Sequence, residues 1–348
     1  MLKYSVGLDI SSGDIHCCLS CIDSLQKVTV KSSRKIPNTV KGFKDLVEWI
    51  GRNRKEKGIP LVICMEATGV YYENCALFLH NQGYTVSVIL PSHAKKYLQS
   101  CGQKSKNDKI DARGLSRMGA EKALGPWQPM GEYFYQLREL TRQNQTLNEL
   151  RTVAMNRLHA ARAGMYQNKE TIRQTKKLID LLEQQLEESD RHIFDHIASS
   201  AAVAEKVGNI CKMKGLGIKT VATVIAETNG FVLFGNARQL ASFSGYDVVE
   251  NQSGNHTGKT RISKKGNSHI RRILYMPALV AVTRKVKPFL NLYERTLAKH
   301  GIKMKSYVAV QKKMLTIIYA LWKKNEAFEE NYGLKKHTEK QEPVSTLG

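Results

Sequence analysis

The chain has 348 residues, more than one compact core usually holds, so two domains with a connector are expected and a lone small module is excluded. Lys and Arg number 54 against 31 Asp and Glu, a formal charge of +23 that points to a polyanionic partner rather than a small-molecule substrate. With 42% hydrophobic residues the chain can bury a sizeable core, which excludes disorder for most of its length.

From Tyr4 to Ile10 apolar residues alternate with Ser5, Gly7 and Asp9, the period of a strand, so Asp9 is expected on a polar face. Strand-like stretches over Ile15 to Ile22 and Gln26 to Ser32 follow, and Val40 to Asn53 reads as an amphipathic helix on Phe43, Leu46, Val47 and Ile50. Leu61 to Met65 is the short apolar run of a buried strand, Val70 to Gln82 reads as helix and Thr85 to Leu90 as strand. Strands alternating with helices make residues 1–125 an α/β unit. After Pro126 and Pro129 the apolar spacing becomes helical, and Phe134 to Ile197 reads as a helical hairpin or coiled-coil connector, within residues 130–198. Residues 202–328 read as a second, mainly helical domain, and 329–348 as a polar tail expected to be disordered.

The longest apolar run, Ile273 to Val282, is interrupted by Pro277 and falls short of the roughly 20 residues a bilayer span needs. The first residues lack a secretory signal pattern, so a cytoplasmic protein with reduced thiols is expected. Cys17, Cys18 and Cys21 have no second pair at zinc-finger spacing and read as strand thiols.

Four carboxylates stand out in so cationic a chain. Asp9 and Glu66 lie at or near the ends of two strands, and parallel pairing of those strands would bring both to one sheet edge. Asp108 and Asp111 share a helix face by their spacing of three. Clustered acids repel unless a divalent cation neutralises them, and oxygen-only donors suit Mg²⁺ or Mn²⁺ rather than zinc. Lys104, Lys106 and Lys109 nearby suit a phosphate substrate. The plainer alternative is that Asp108 caps a helix and Glu66 forms a local ion pair.

The second region is the Gly-rich segment from Phe243 to Asn267, which leads into a helix at Ser268. Lys259, Arg261, Lys264, Lys265, Arg271 and Arg272 would hold a phosphate there by charge-assisted hydrogen bonds. Ser253 is the hydroxyl best placed as a nucleophile, against the alternative of a turn former, and His256 and His269 are candidate helpers or phosphate contacts. Upstream, Gly215-Leu-Gly217, followed by Lys219, has the pattern of a helix–hairpin–helix that presents backbone N–H groups to a nucleic-acid backbone, or else of a plain tight turn.

Gly7-Leu-Asp-Ile-Ser, Met65-Glu-Ala-Thr-Gly-Val-Tyr, Lys106-Asn-Asp-Lys-Ile-Asp-Ala and Gln252-Ser-Gly…Gly258-Lys-Thr-Arg-Ile-Ser-Lys-Lys-Gly-Asn, in that order, resemble the DEDD transposases of the IS-one-ten insertion-sequence family, relatives of the Piv invertase. The resemblance implies a RuvC-like, RNase H-type first domain, a coiled-coil connector and a mainly α transposase domain with a helix–hairpin–helix. It implies that Asp9, Glu66, Asp108 and Asp111 bind metal and that Ser253 attacks a DNA phosphodiester to form a covalent phosphoserine. It further implies donor and target DNA joined under a structured bridge RNA, by a homodimer assembling to a tetramer. Ser244-Gly-Tyr-Asp stands where the family more usually has Ala-Gly-Leu, which makes Ser244 a second candidate hydroxyl. The competing readings are a RuvC-like Holliday-junction resolvase or metal-dependent nuclease using activated water, and a non-catalytic nucleic-acid-binding protein.

Overall fold

A computed structural model describes residues 1–102, 107–254, 256–258 and 260–329. The chain divides into two compact units, Met1–Pro129 and Met130–Gly348.

The first unit is α/β. Strands β1 (Lys3–Ile10), β2 (Asp14–Ile22) and β3 (Val28–Pro37) form an antiparallel meander. Helix α1 (Val40–Asn53) starts where the Thr39 hydroxyl accepts from the Gly42 N–H, and it buries Phe43, Leu46, Trp49 and Ile50 along one stripe. Strand β4 (Leu61–Glu66) then pairs parallel with β1, and after helix α2 (Glu73–Asn81) strand β5 (Thr85–Ile89) pairs parallel with β4. The sheet order is β3-β2-β1-β4-β5. Helices α3 (Pro91–Ser100) and α4 (Asp108–Glu121) complete the unit. Leu8, Ile15, Leu19 and Ile63 of the sheet form one core with Phe43, Leu46, Ile50 and Leu79 of α1 and α2.

Two expectations need correction. The supposedly polar side of β1 is not solvent-facing, because Ser5 and Gly7 are buried under α4. An added Cβ on Gly7 would lie 2.1 Å from the Ala112 carbonyl oxygen and 2.1 Å from the Ser116 nitrogen, so small residues here mark a helix seat. The Ser116 hydroxyl donates to the Ser5 carbonyl at 3.0 Å across the same contact. Helix α2 begins at Glu73 rather than Val70, since Gly69 turns the chain with φ of 59° and Val70 and Tyr71 remain exposed.

The second unit is mainly helical. Long helices α5 (Glu132–Ala163) and α6 (Lys169–Ala198) form a hairpin, with Leu147, Ala154, Ile179 and Leu182 buried between them. Helices α7 (Ala201–Cys211) and α8 (Ile218–Glu227), a 3₁₀ turn at Asn229–Phe231 and α9 (Ala237–Phe243) follow. Short strands β6 (Val248–Val249), β7 (Gln252–Ser253), β8 (His256–Thr257) and β9 (Arg261–Ile262) precede α10 (Ser268–Ile273), α11 (Tyr275–Thr283), α12 (Lys287–His300) and α13 (Lys303–Lys324). The core joins Ile225, Phe231, Tyr246, Leu274, Phe289, Met314 and Ile318. Among the described residues no helix is long and apolar enough to cross a membrane.

Candidate functional sites in the two units

Strand register and helix seating bring the acids of the first unit together. Leu8 pairs with Met65 in the parallel ladder, so Asp9 and Glu66 occupy the next positions of neighbouring strands. Helix α4, seated on Gly7, presents Asp108 and Asp111 in its first turn, where carboxylates suit the positive end of the helix dipole. Its cap is Asn107, whose side chain accepts from the Ile110 N–H, so Asp108 is not used as the cap. Burial, with the charges of Asp108, Asp111 and Glu66 beside it, pushes the Asp9 carboxyl up to about 6. Asp9 therefore feels the other three acids. The Thr68 hydroxyl donates to Glu66 Oε1 at 3.0 Å.

One member was missed in the sequence. His16 of β2 lies opposite Asp9 across the first hairpin, its Nδ1 3.5 Å from Asp108 Oδ2, and it partly offsets the negative charge around Asp9. The signal was available in the register of a tight hairpin rather than in any motif. The oxygen donors and the raised Asp9 fit a hard divalent cation in charge and ligand type. Among the described residues no three His, Cys, Asp or Glu are drawn close enough to hold a metal ion, so the fit is one of donor chemistry and not of a closed shell.

In the second unit Ser253 is exposed in β7, facing His256 in a two-stranded pairing. Ser244 is fully buried, and its hydroxyl finds no hydrogen-bond partner. A reagent the size of a phosphodiester can therefore reach Ser253 and not Ser244. The described residues between Phe243 and Asn267 pair as a β-hairpin arm rather than a loop. Asn267 donates its N–H to the Phe243 carbonyl at 2.8 Å and Ser263 to that of Asp247 at 2.8 Å, while Val248 and Val249 pair with Ile262 and Arg261. Gly258 donates to the Asn251 carbonyl at 2.7 Å, next to the Ser253–His256 pair.

The cationic residues divide. Arg261, Lys264 and Lys265 are exposed on the arm. Arg271 Nη1 donates to the carbonyls of Ser244, Gly266 and Asn267 and so knits the arm's root, while Arg272 pairs with Glu149. Gly215 has φ of 96° and packs on α11, Gly217 precedes α8, and Lys219 meets Asp190 at 2.9 Å. Lys104, Lys106 and Lys259 lie outside the described residues.

Sequence reasoning also missed Glu227, whose side chain is 1% exposed and accepts from Arg142 Nε at 2.7 Å and Nη2 at 3.0 Å. Burial alone would raise this acid, but the hydrogen bonds and charge of Arg142, helped by Asn267, outweigh it and hold Glu227 below its ordinary range. Half-buried His269 hydrogen-bonds through Nδ1 to Gln145 Oε1 at 2.6 Å, and burial lowers its pKa. Both shifts act in one direction with pH. A carboxylate depressed on folding stabilises above its ordinary 4.5, and a histidine depressed on folding resists charging below its ordinary 6.5. The thermal midpoint of the second unit is expected to fall on acidification below pH 6.5 and again below 4.5, and Glu227→Gln to flatten the lower step. A midpoint constant from pH 7 to 4 contradicts this, and scanning fluorimetry across buffers reads it.

Comparison with known proteins gives the family. A family model for DEDD transposases of the IS110 group, described as a transposase, matches residues 6–166, and the model described as "Transposase IS116/IS110/IS902 family" matches residues 208–294. The chain is 26% identical over 330 residues to the pilin gene-inverting protein of Moraxella bovis, covering 94% of this chain and 98% of that protein. It is 25% identical to the transposase for insertion sequence element IS1111A of Coxiella burnetii, over 76% of this chain and 79% of that one. Among solved structures, T. thermophilus RuvC in complex with Holliday junction substrate aligns over 36% of this chain and 99% of its own, at 12% identity and a TM-score of 0.28, too loose a likeness to carry weight. With two transposase models that together cover residues 6–166 and 208–294, the chain belongs to the IS116/IS110/IS902 family of transposases, enzymes that cut and rejoin DNA.

Proposed function

We propose that this transposase exchanges DNA strands through a covalent serine ester, with an acid cluster in the first unit and a hydroxyl in the second. The observation that carries the reading is one of placement: Asp9 and Glu66 follow paired positions of neighbouring parallel strands, and the helix seated on Gly7 brings Asp108 and Asp111 in its first turn, an all-oxygen donor set that suits a divalent ion. In this reading residues 1–125 are a RuvC-like, RNase H-type domain, 130–198 a coiled-coil connector, and 202–328 the transposase domain with a helix–hairpin–helix at Gly215 and Gly217. Asp9, Glu66, Asp108 and Asp111 would hold Mg²⁺ or Mn²⁺, which when bound supplies positive charge for the phosphate oxygens.

Ser253 Oγ attacks phosphorus and loses its proton. The P–O bond to one DNA strand breaks, and the released DNA oxygen takes up a proton. The ester keeps the bond energy, so attack by another strand's hydroxyl restores Ser253 without an external energy source. Exposed Arg261, Lys264 and Lys265 lie on the same arm as the serine and suit a backbone phosphate. A net +23 suits an assembly of donor DNA, target DNA and a structured bridge RNA, with salt-sensitive binding. The working form in this reading is a dimer assembling to a tetramer in the cytoplasm.

The test is a denaturing gel of the protein with a cognate DNA end and Mg²⁺. A protein–DNA adduct is expected with wild type and with Ser244→Ala, and none with Ser253→Ala. Free nicked ends that survive Ser253→Ala would instead show a nuclease using activated water.

A further inference from the structure

Deepening the proposed role of Ser253, and resting on it, we propose that Glu227 is a positioning residue for strand exchange, fixing the direction in which the hairpin arm presents its serine. Three side chains meet at the arm's root. Glu227 ends α8, Arg142 comes from α5 with its bidentate grip, and Asn267, the last residue before α10, donates Nδ2 to Glu227 Oε2 at 2.6 Å. Asn267 holds three elements at once. Its N–H bonds to Phe243 at the start of the arm, its Oδ1 caps α10 by accepting from the Ile270 N–H at 3.1 Å, and its amide nitrogen reaches Glu227.

The contact continues as a ladder. Arg142, Gln145 and Glu149 share one face of α5 by their spacing, and they meet Glu227 with Asn267, then His269, then Arg272. Arg271 and the Ser263–Asp247 contacts tie the arm's root, but beyond it Val248 to Gly254 are exposed and the two ladders are two residues long each. Gly266 admits the close approach of the two legs, because a Cβ there would lie 2.3 Å from the Phe243 carbonyl oxygen. Burying a carboxylate is costly unless it is fully paired, and in so cationic a chain an exposed acid could neutralise Arg142 more cheaply. What burial adds is a fixed geometry between α5, α8 and the arm.

The test uses the full chain with Glu227→Gln, and with Asn267→Ser, which keeps a hydroxyl able to cap α10 but removes the donor to Glu227. Two readouts separate positioning from mere stability. Hydrogen exchange at Ser263, Lys264 and residue 267 should quicken roughly tenfold in both variants while the helices of the second unit keep wild-type protection. Single-turnover adduct formation at saturating DNA should slow by about 10- to 100-fold with the DNA Kd unchanged, the scale of loss from misplacing a reacting atom by about 1 Å. Exchange that quickens across the whole unit, or an adduct rate equal to wild type, overturns the assignment. Should wild type itself form no Ser253-dependent adduct, the serine reading fails, and the exchange pattern alone then decides whether Glu227 orients the arm.

Discussion

Gly7→Ala should dislodge α4 and abolish DNA cleavage and rejoining. The new methyl would sit 2.1 Å from the Ala112 carbonyl oxygen and the Ser116 nitrogen, and both are backbone atoms that no rotamer change can move. Overpacking commonly costs 1–3 kcal/mol, and a collision with a helix backbone belongs at or above about 3 kcal/mol. The helix that carries Asp108 and Asp111 must lift from the strand that carries Asp9, so activity is lost even where the unit still folds. Gly13→Ala is the matched control, since nothing lies within 4 Å of its added Cβ. Gly119 reports on the same seat more gently. Its Cβ would lie 2.3 Å from Ser5 Oγ, an atom with no hydrogen-bond partner, and 3.1 Å from Cys64 Cβ, so Ser5→Ala should rescue Gly119→Ala in part. Thermal unfolding and hydrogen exchange of α4 read the series, and a wild-type midpoint for Gly7→Ala would contradict the seating.

Asp9→Asn should remove catalysis and, with no metal present, stabilise the fold. Burial and three neighbouring acids push Asp9 from 3.8 to about 6, so its ionised form is disfavoured in the folded state. The sign follows from linkage: a carboxyl raised on folding contributes unfavourably above its unfolded value, and this penalty grows until pH passes the folded value. At pH 7 the amide removes it. For a half-buried group, screened by solvent, the gain is on the order of 1 kcal/mol, or roughly 3 to 6 °C in midpoint for a unit of this size. At pH 4 the gain should vanish. Wild type should be stabilised by added Mg²⁺ or Mn²⁺ and Asp9→Asn far less. Activity should fall by about 10³-fold, the scale of several kcal/mol of charge stabilisation. An Asp9→Asn protein that is less stable than wild type without metal, yet gains as much from it, would contradict the site.

Much of the first unit was legible because periodicity reflects burial. The β1, β2 and α1 patterns map onto Lys3–Ile10, Asp14–Ile22 and Val40–Asn53, and the adjacency of Asp9 and Glu66 follows from parallel pairing of two short apolar strands. What escaped depends on partners distant in the chain. Ser5 and Gly7 look polar or neutral by composition, and only the arrival of Ala112 and Ser116 shows them to be a seat. His16 needed hairpin register, which alternation alone does not supply. The segment after Phe243 is rich in Gly and polar residues, so its strands are too short to leave a period, and its pairing became visible only through hydrogen bonds. Glu227 and Arg142 are 85 positions apart, and neither sits in a motif. The hairpin of α5 and α6 was readable from its spacing, whereas its ladder to α10 was not, because it is built from side chains that solvated helix faces also carry.

The arm's length has a mechanical consequence. At about 3.3 Å per residue the run from Asp247 to Ser253 spans roughly 20 Å, which exceeds the approximately 12 Å width of a major groove. In the serine reading, a hydroxyl on such a lever would reach a backbone phosphorus while the bulk of its unit stayed outside the duplex. Leverage also magnifies error, for a tilt of about 3° at the pivot sweeps the tip through about 1 Å, enough to separate a reactive encounter from a futile one.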